Sequence, residues 1–125
     1  MLIPSDLRYS EDHEWIRVEK DVIVLGVTDY AQSELGDIIF VELPDINTIV
    51  SSKDSIGTIE AIKTVADIYS PIDGEIIDIN EEINNSPDLI NSDPYEKGWL
   101  VKIKIKTLNQ LDNMLTKNQY MKIIS

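Results

Sequence analysis

The segment WLVKIKIK, residues 99 to 106, constrains the fold more than any other stretch of the chain. In an extended backbone successive side chains point to opposite faces. Trp99, Val101, Ile103 and Ile105 therefore share one face, while Leu100, Lys102, Lys104 and Lys106 share the other. A helix cannot sort these residues into an apolar and a basic side. Burying the apolar four at about 1.5–3 kcal/mol each is comparable to the whole net stability of a domain, about 5–15 kcal/mol. The segment reads as a core strand, with its lysines on a solvated edge.

Other strand signals surround it. HEWIRVEKDVIVLGVT holds two β-rich runs separated by Glu19, Lys20 and Asp21, a hairpin pattern. TDYAQSELG reads as a brief helix with Thr28 as N-cap, Asp29 in the first turn and Gly36 at the C-terminal stop. DIIFVELP is a strand ended by Pro44, and a polar loop, DINTIVSSKD, follows. After GEIIDIN a short helical turn is expected, with Ser86 as cap and Pro87 at its first position. In the tail, Leu111, Met114 and Leu115, then Tyr120, Ile123 and Ile124, recur at spacings of three and four, which predicts two short helices or one broken near Thr116. Strands outnumber helices without βαβ alternation, so the class is mainly β with helices at the edges.

With 125 residues, the chain supplies one core, and residues 1–125 are taken as one domain. A net charge of −12 repels phosphate backbones and anionic lipid, which argues against nucleic-acid and membrane partners. The chain has no cysteine and one histidine, which removes disulfides, thiolate nucleophiles and multi-histidine metal clusters. MLIPSDLRYS has neither a basic start nor an apolar run of the kind that export requires, so a cytoplasmic location is expected. Small size and strong charge favour a monomer.

One residue stands out within GTIEAIKTVADIYSPIDGEI, residues 57 to 76. Lys63 interrupts two strand-like runs, 55 to 62 and 64 to 70, with no Gly, Asn or Pro beside it. The natural place for it is the tip of a hairpin spanning about 55–70, with its ammonium in water and Ile59, Ala61, Val65 and Ile68 anchoring the strands. Gly57 and Gly74 frame it, and glycine in such a pattern marks a bulge, a turn or a close backbone approach. Most lysines are merely solvated charges. The residues alone establish a presented lysine and nothing more.

That segment resembles the lipoyl-attachment region of the glycine cleavage system H protein family. YSEDHEW (9 to 15), GVTDYAQSELGDIIFVELP (26 to 44), NSPDLINSDPYEKGWL (85 to 100) and the helical tail continue the resemblance along nearly all of the chain. It implies a barrel-sandwich hybrid, an antiparallel β-sandwich with a pseudo-twofold lipoyl-domain core, short peripheral helices and a C-terminal helical segment. It also implies that Lys63 carries lipoic acid in amide linkage. An ordinary lysine, with pKa about 10.4, is protonated at neutral pH, so acylation needs an activated donor and a dedicated lipoylating enzyme.

In the implied cycle a pyridoxal-phosphate glycine decarboxylase passes an aminomethyl group to the lipoyl disulfide, reducing it. A tetrahydrofolate-dependent aminomethyltransferase takes the one-carbon unit and releases ammonia, and a flavin- and NAD-dependent dihydrolipoyl dehydrogenase restores the disulfide. The chain carries and its partners catalyse. Glu14 and Asp67 match family positions lining the cleft where a loaded arm rests, and Glu60 and Gly74 match positions recognised by the lipoylating enzyme. On sequence grounds an ordinary acidic surface is the more frequent account of such carboxylates. His13 is more often structural in such a setting and is assigned no catalytic role, and no residue is assigned to catalysis or to a metal.

The sequence departs from the family pattern at Asn47, Lys53 and Glu96, where glycine is usual, and at Ala61, Thr64 and Val65 around the lysine. The glycine replacements bear on turn geometry, because Lys and Glu tolerate positive φ poorly. Three other readings stay open: a lipoyl domain of a 2-oxoacid dehydrogenase, a carrier that relays lipoyl groups to other enzymes, and an acidic interaction module whose lysine is never modified. A biotin carrier is disfavoured because Ile62 and Thr64, not methionines, flank Lys63.

Overall fold

The computed structural model describes residues 1–125 and contains nine strands in two antiparallel sheets. Glu14 to Val27 form the expected hairpin: β2 (Glu14–Glu19) and β3 (Val22–Val27) pair in register, with Lys20 at φ 61° in the short loop. The alternating lysine segment becomes β9 (Val101–Ile105), whose Val101, Ile103 and Ile105 are buried. It pairs with β3 on one side and with β8 (Gly74–Ile79) on the other. Two short strands the sequence did not announce, β1 (Arg8–Tyr9) and β5 (Ile49–Val50), complete a six-stranded sheet in the order β1-β2-β3-β9-β8-β5.

Two expectations about this strand need correction. Its lysine face does not lie on a sheet edge: β9 is flanked on both sides, and its lysines reach solvent because the outer face of the sheet is uncovered. Trp99 precedes the strand and is only half-buried, whereas Leu100 is fully buried, so the period of two starts at residue 101. Trp99 instead borders the Lys102 ammonium at 5.4 Å from its ring centroid.

The second sheet has three strands, β4 (Ile38–Glu42), β6 (Ser55–Ala61) and β7 (Val65–Tyr69), with β6 in the middle. Its inner residues Ile38, Val41, Ile59 and Ile68 meet Ile16, Leu25, Ile76 and Ile103 of the larger sheet in one apolar core. Gly57 explains how closely the strands pack: a Cβ there would stand 2.3 Å from the Glu42 carbonyl oxygen, and the register slips beside it. Gly74 plays the same part in the larger sheet, where a Cβ would meet the Lys104 carbonyl oxygen at 2.2 Å.

Helices sit at the periphery. α1 (Asp29–Leu35) is capped by Thr28, whose side chain accepts from the Ala31 N–H, and it stops at Gly36 with φ 79°. Two single turns follow β8: α2 (Glu82–Asn85) and α3 (Leu89–Ser92). Ser86 therefore ends α2 instead of capping a helix, although the Leu89 N–H does reach back to the Ser86 carbonyl and the Ile90 N–H to that of Pro87. In the tail a 3-10 helix (Leu108–Asn113) and α4 (Lys117–Ile124) are split at Thr116, which forms a reciprocal cap with Gln119. α4 docks through Tyr120 into a second, aromatic core with Tyr9, Trp15 and Tyr95.

Asn47 and Lys53 take φ 75° and 77°, so the loop does demand a left-handed backbone at both places, and a lysine supplies it at one. Glu96 is not among the positive-φ residues and instead meets Arg17 at 3.4 Å.

Candidate functional site

The hairpin β6–β7 is paired from Gly57↔Ile68 to Glu60↔Val65, and the chain reverses through Ile62 and Lys63. The Ala61 N–H donates to the Thr64 carbonyl at 2.8 Å, and the Ile62 N–H donates to the Asp37 carbonyl at 3.2 Å, pinning the bend to the start of β4. Neither bend residue has positive φ. That is why the sequence shows no glycine or asparagine there. Lys63 is exposed and takes part in neither of the two salt bridges nor in any side-chain hydrogen bond. Its flanks are unusually apolar for a surface: Ile62 is 66% and Val65 60% exposed.

Pairing fixes what lies on the outer face of the small sheet. Phe40, Glu60 and Val65 form one row across the three strands, and Glu42, Thr58 and Asp67 form the next. Glu60 is therefore exposed beside the lysine, between two apolar neighbours. Gly74 lies in the other sheet, and its missing side chain is accounted for by the approach of β9.

Glu14 and Asp67, 53 positions apart in the chain, do come together. The open edge of β7 faces the start of β2 and one side of α1 across a cleft of about 270 Å³ lined by Glu14, Asp67, His13, Tyr30, Glu34 and Ala66, among others. Ala66, in the cleft wall, is three residues along the chain from Lys63, a separation of roughly 10 Å at strand rise. A larger hollow of about 490 Å³ runs past Arg17, Trp99 and Lys102, lined mainly by charged side chains and away from the hairpin.

Glu14 is only 2% exposed. The Tyr69 N–H, which belongs to the unpaired edge of β7, donates to its Oε2 at 2.8 Å, and Ser10 Oγ donates to Oε1 at 3.0 Å. Burial pushes the carboxyl up to about 8, against the pull of those two hydrogen bonds toward ionisation. Asp67 is exposed at the rim and accepts from the Tyr69 hydroxyl at 3.2 Å. That contact and the Asp67 charge together push the Tyr69 phenol up. Lys53 completes the local charge pattern, 3.6 Å from Asp12.

The sequence reading missed His13, whose side chain lines the same cleft. Two signals were available. His13 directly precedes Glu14, and Tyr30, Ala31, Glu34 and Leu35 recur at helical spacing on one side of α1, all of them in the cleft wall. Burial pushes the His13 imidazole below its ordinary 6.5, opposed by the charges of Asp12 and Glu34. There is no group of three or more His, Cys, Asp or Glu side chains arranged to hold a metal ion, and no helix is long and apolar enough to cross a membrane.

Residues 7–125 match the family described as Glycine cleavage H-protein. The chain is 46% identical over 124 residues to the glycine cleavage system H protein of Staphylococcus carnosus, covering 99% of this chain and 98% of that protein. To the protein of the same name from Geobacillus thermodenitrificans it is 47% identical over 125 residues, covering 100% and 98%. The crystal structure of a glycine cleavage system H protein from Mycobacterium marinum superposes with a TM-score of 0.87 at 35% identity, over 96% of this chain and 97% of that one.

Proposed function

The chain belongs to the glycine cleavage H-protein family, and from that premise we propose that Lys63 is its lipoyl-attachment residue and that the chain shuttles the aminomethyl group of glycine. The partners are the pyridoxal-phosphate decarboxylase, the tetrahydrofolate-dependent aminomethyltransferase and dihydrolipoyl dehydrogenase, with a lipoylating enzyme acting first, all in the cytoplasm. The observation that carries this reading is one exposed, unpaired lysine on a pinned hairpin tip whose following strand, through Ala66 and Asp67, lines a cleft that holds a buried carboxyl.

The residues fit the group they would hold. Lys63 gives up no ion pair on acylation, and the loss of its charge takes the formal net charge one step below −12. When bound, the dithiolane supplies a redox-active sulfur that accepts the aminomethyl group. The chain supplies a fixed tether. Attachment at the tip makes each meeting between the sulfur and a docked enzyme's site intramolecular, at effective concentrations around millimolar. Ile62 and Val65 give a docking enzyme an apolar collar around the tether, with Glu60 as a polar mark within it.

Between partners the cationic end of a loaded arm must be kept from hydrolysis. Glu14 and Asp67 offer a carboxyl at the floor and a carboxylate at the rim of the cleft, which suits an ammonium partly removed from water. Incubation with a lipoylating enzyme followed by intact-mass measurement tests the attachment, and wild type should gain one lipoyl mass while Lys63→Arg gains none. Reconstitution with the decarboxylase tests the place in the cycle. Failure of the modified chain to support glycine-dependent carbon dioxide exchange removes it from glycine cleavage, and absence of any mass gain with an active lipoylating enzyme removes the attachment itself.

A further inference from the structure

The single histidine is held by more contacts than a filler residue requires. His13 takes φ 65°, in the turn where its N–H donates to the Ser10 carbonyl at 3.2 Å and the Thr28 N–H donates to its own carbonyl at 3.0 Å. Its Nδ1 is 3.0 Å from the Tyr120 hydroxyl, and that hydroxyl is 2.7 Å from Thr28 Oγ1. Thr28 is the cap of α1. Tyr120 belongs to α4, is fully buried, and stacks on Tyr9 with ring centroids 4.8 Å apart. One phenol from the far end of the chain thus ties together the two elements that face β7 across the cleft, the turn that bears His13 and Glu14 and the helix that bears Tyr30 and Glu34.

The polarity of this chain of groups can run two ways. If Thr28 donates to Tyr120 and Tyr120 to Nδ1, then Nε2 carries the proton and donates. If Nδ1 donates to Tyr120 and Tyr120 to Thr28, then Nε2 is a free acceptor. The imidazole stays neutral in both arrangements, and an ammonium selects the second. A primary ammonium has three N–H donors, each of which needs an acceptor once water is excluded. Glu14 and Asp67 account for two. A third carboxylate beside them would add like-charge repulsion, since Asp12 and Glu34 already stand at the same cleft. A neutral acceptor adds the bond without the charge.

We propose that His13 is the third polar contact for the charged end of a loaded arm, with Nε2 as acceptor, and that Tyr120 is the positioning residue that holds it so. α4 is then part of the binding cleft, not a tail fixed to the back of the sheet. This rests on the reading that Lys63 bears the arm and that the cleft receives it.

Because the chain has one histidine, ¹⁵N spectra of its imidazole are unambiguous. In the unlipoylated chain, Tyr120→Phe keeps the stack on Tyr9 but should change the ratio of the two tautomers. In the lipoylated chain loaded by glycine and the decarboxylase, the Nε2 resonance should move toward that of a hydrogen-bond acceptor. After the decarboxylase is removed, ammonia release measures the loss of the aminomethyl group. Tyr120→Phe and His13→Asn should release it about three- to tenfold faster at pH 7.5, asparagine being chosen because it tolerates the left-handed backbone. The groups facing His13 are Asp12, Glu34, Tyr30 and Tyr120, with Glu14 next to it in the chain and Asp67 across the cleft. In wild type, release should accelerate as pH falls below 6.5 and the imidazole becomes cationic. That limb should vanish in His13→Asn and persist in Glu14→Gln. An unmoved Nε2 resonance on loading, or wild-type release rates in both variants while Asp67→Asn is faster, overturns the role of His13 alone. Failure of wild type to load, or wild-type release from Asp67→Asn, sinks the cleft reading and this inference with it.

Discussion

Replacing Glu14 by glutamine should make the protein more stable at neutral pH and should flatten its dependence on pH. The folded state raises this carboxyl from an ordinary 4.5 to about 8, first of all because the group is buried. Between those values the native chain holds a proton that the unfolded chain has lost. Stability therefore falls as pH rises, by about 1.4 kcal/mol per pH unit at full effect. Glutamine mimics the protonated acid: its oxygen can still accept from the Tyr69 N–H, and its amide can donate to Ser10 Oγ. The stability difference between variant and wild type should then grow by about 2–3 kcal/mol from pH 5 to pH 7. Urea unfolding of the unlipoylated proteins, followed through the fluorescence of fully buried Trp15, measures that difference directly. His13, whose pKa is lowered, acts in the opposite sense by losing stability as pH falls below 6.5, but it is common to both proteins and cancels in the difference. Parallel stability curves for the two proteins across this window, or a variant that loses ground as pH rises, would refute the argument that Glu14 is buried as an acid.

Lys63→Arg should leave urea stability within about 0.5 kcal/mol of wild type, because the exposed side chain makes no contact to lose. Gly57→Ala should cost about 1–3 kcal/mol by the same measurement, since the new methyl would be driven into the Glu42 carbonyl. Lys53→Gly should stabilise by about 0.5–1 kcal/mol. The relief of φ 77° outweighs loss of the exposed Asp12 contact, and a lower denaturation midpoint would show the reverse.

The strands were legible wherever one face is buried, as Val101, Ile103 and Ile105 show, because a period of two survives in the order of residues. Trp99 escaped because alternation says nothing about where pairing starts. The lysines of β9 were misjudged as an edge because strand neighbours are set by long-range pairing that no local window contains. The hairpin tip could be found from the absence of turn residues, as a bend without positive φ needs none. The cleft was only half visible. Glu14 and Asp67 were named through family likeness, but their meeting depends on the open edge of β7 lying against the start of β2. His13 was passed over because its tie to Tyr120 spans 107 positions.

Two backbone bonds, from the Ala61 and Ile62 N–H groups, tie the bend that carries Lys63 to its own hairpin and to the start of β4. On the proposed reading, in which Lys63 bears the arm, the searching is then left to rotations within the side chain and whatever extends it. A visiting enzyme accordingly meets a stationary post with a mobile line, and the ordering penalty of capture falls on a few single bonds instead of on the β-sheet. Stiffening that line, or loosening the post with a glycine at position 62, would change the frequency of visits without altering a single atom that an enzyme must recognise at the far end.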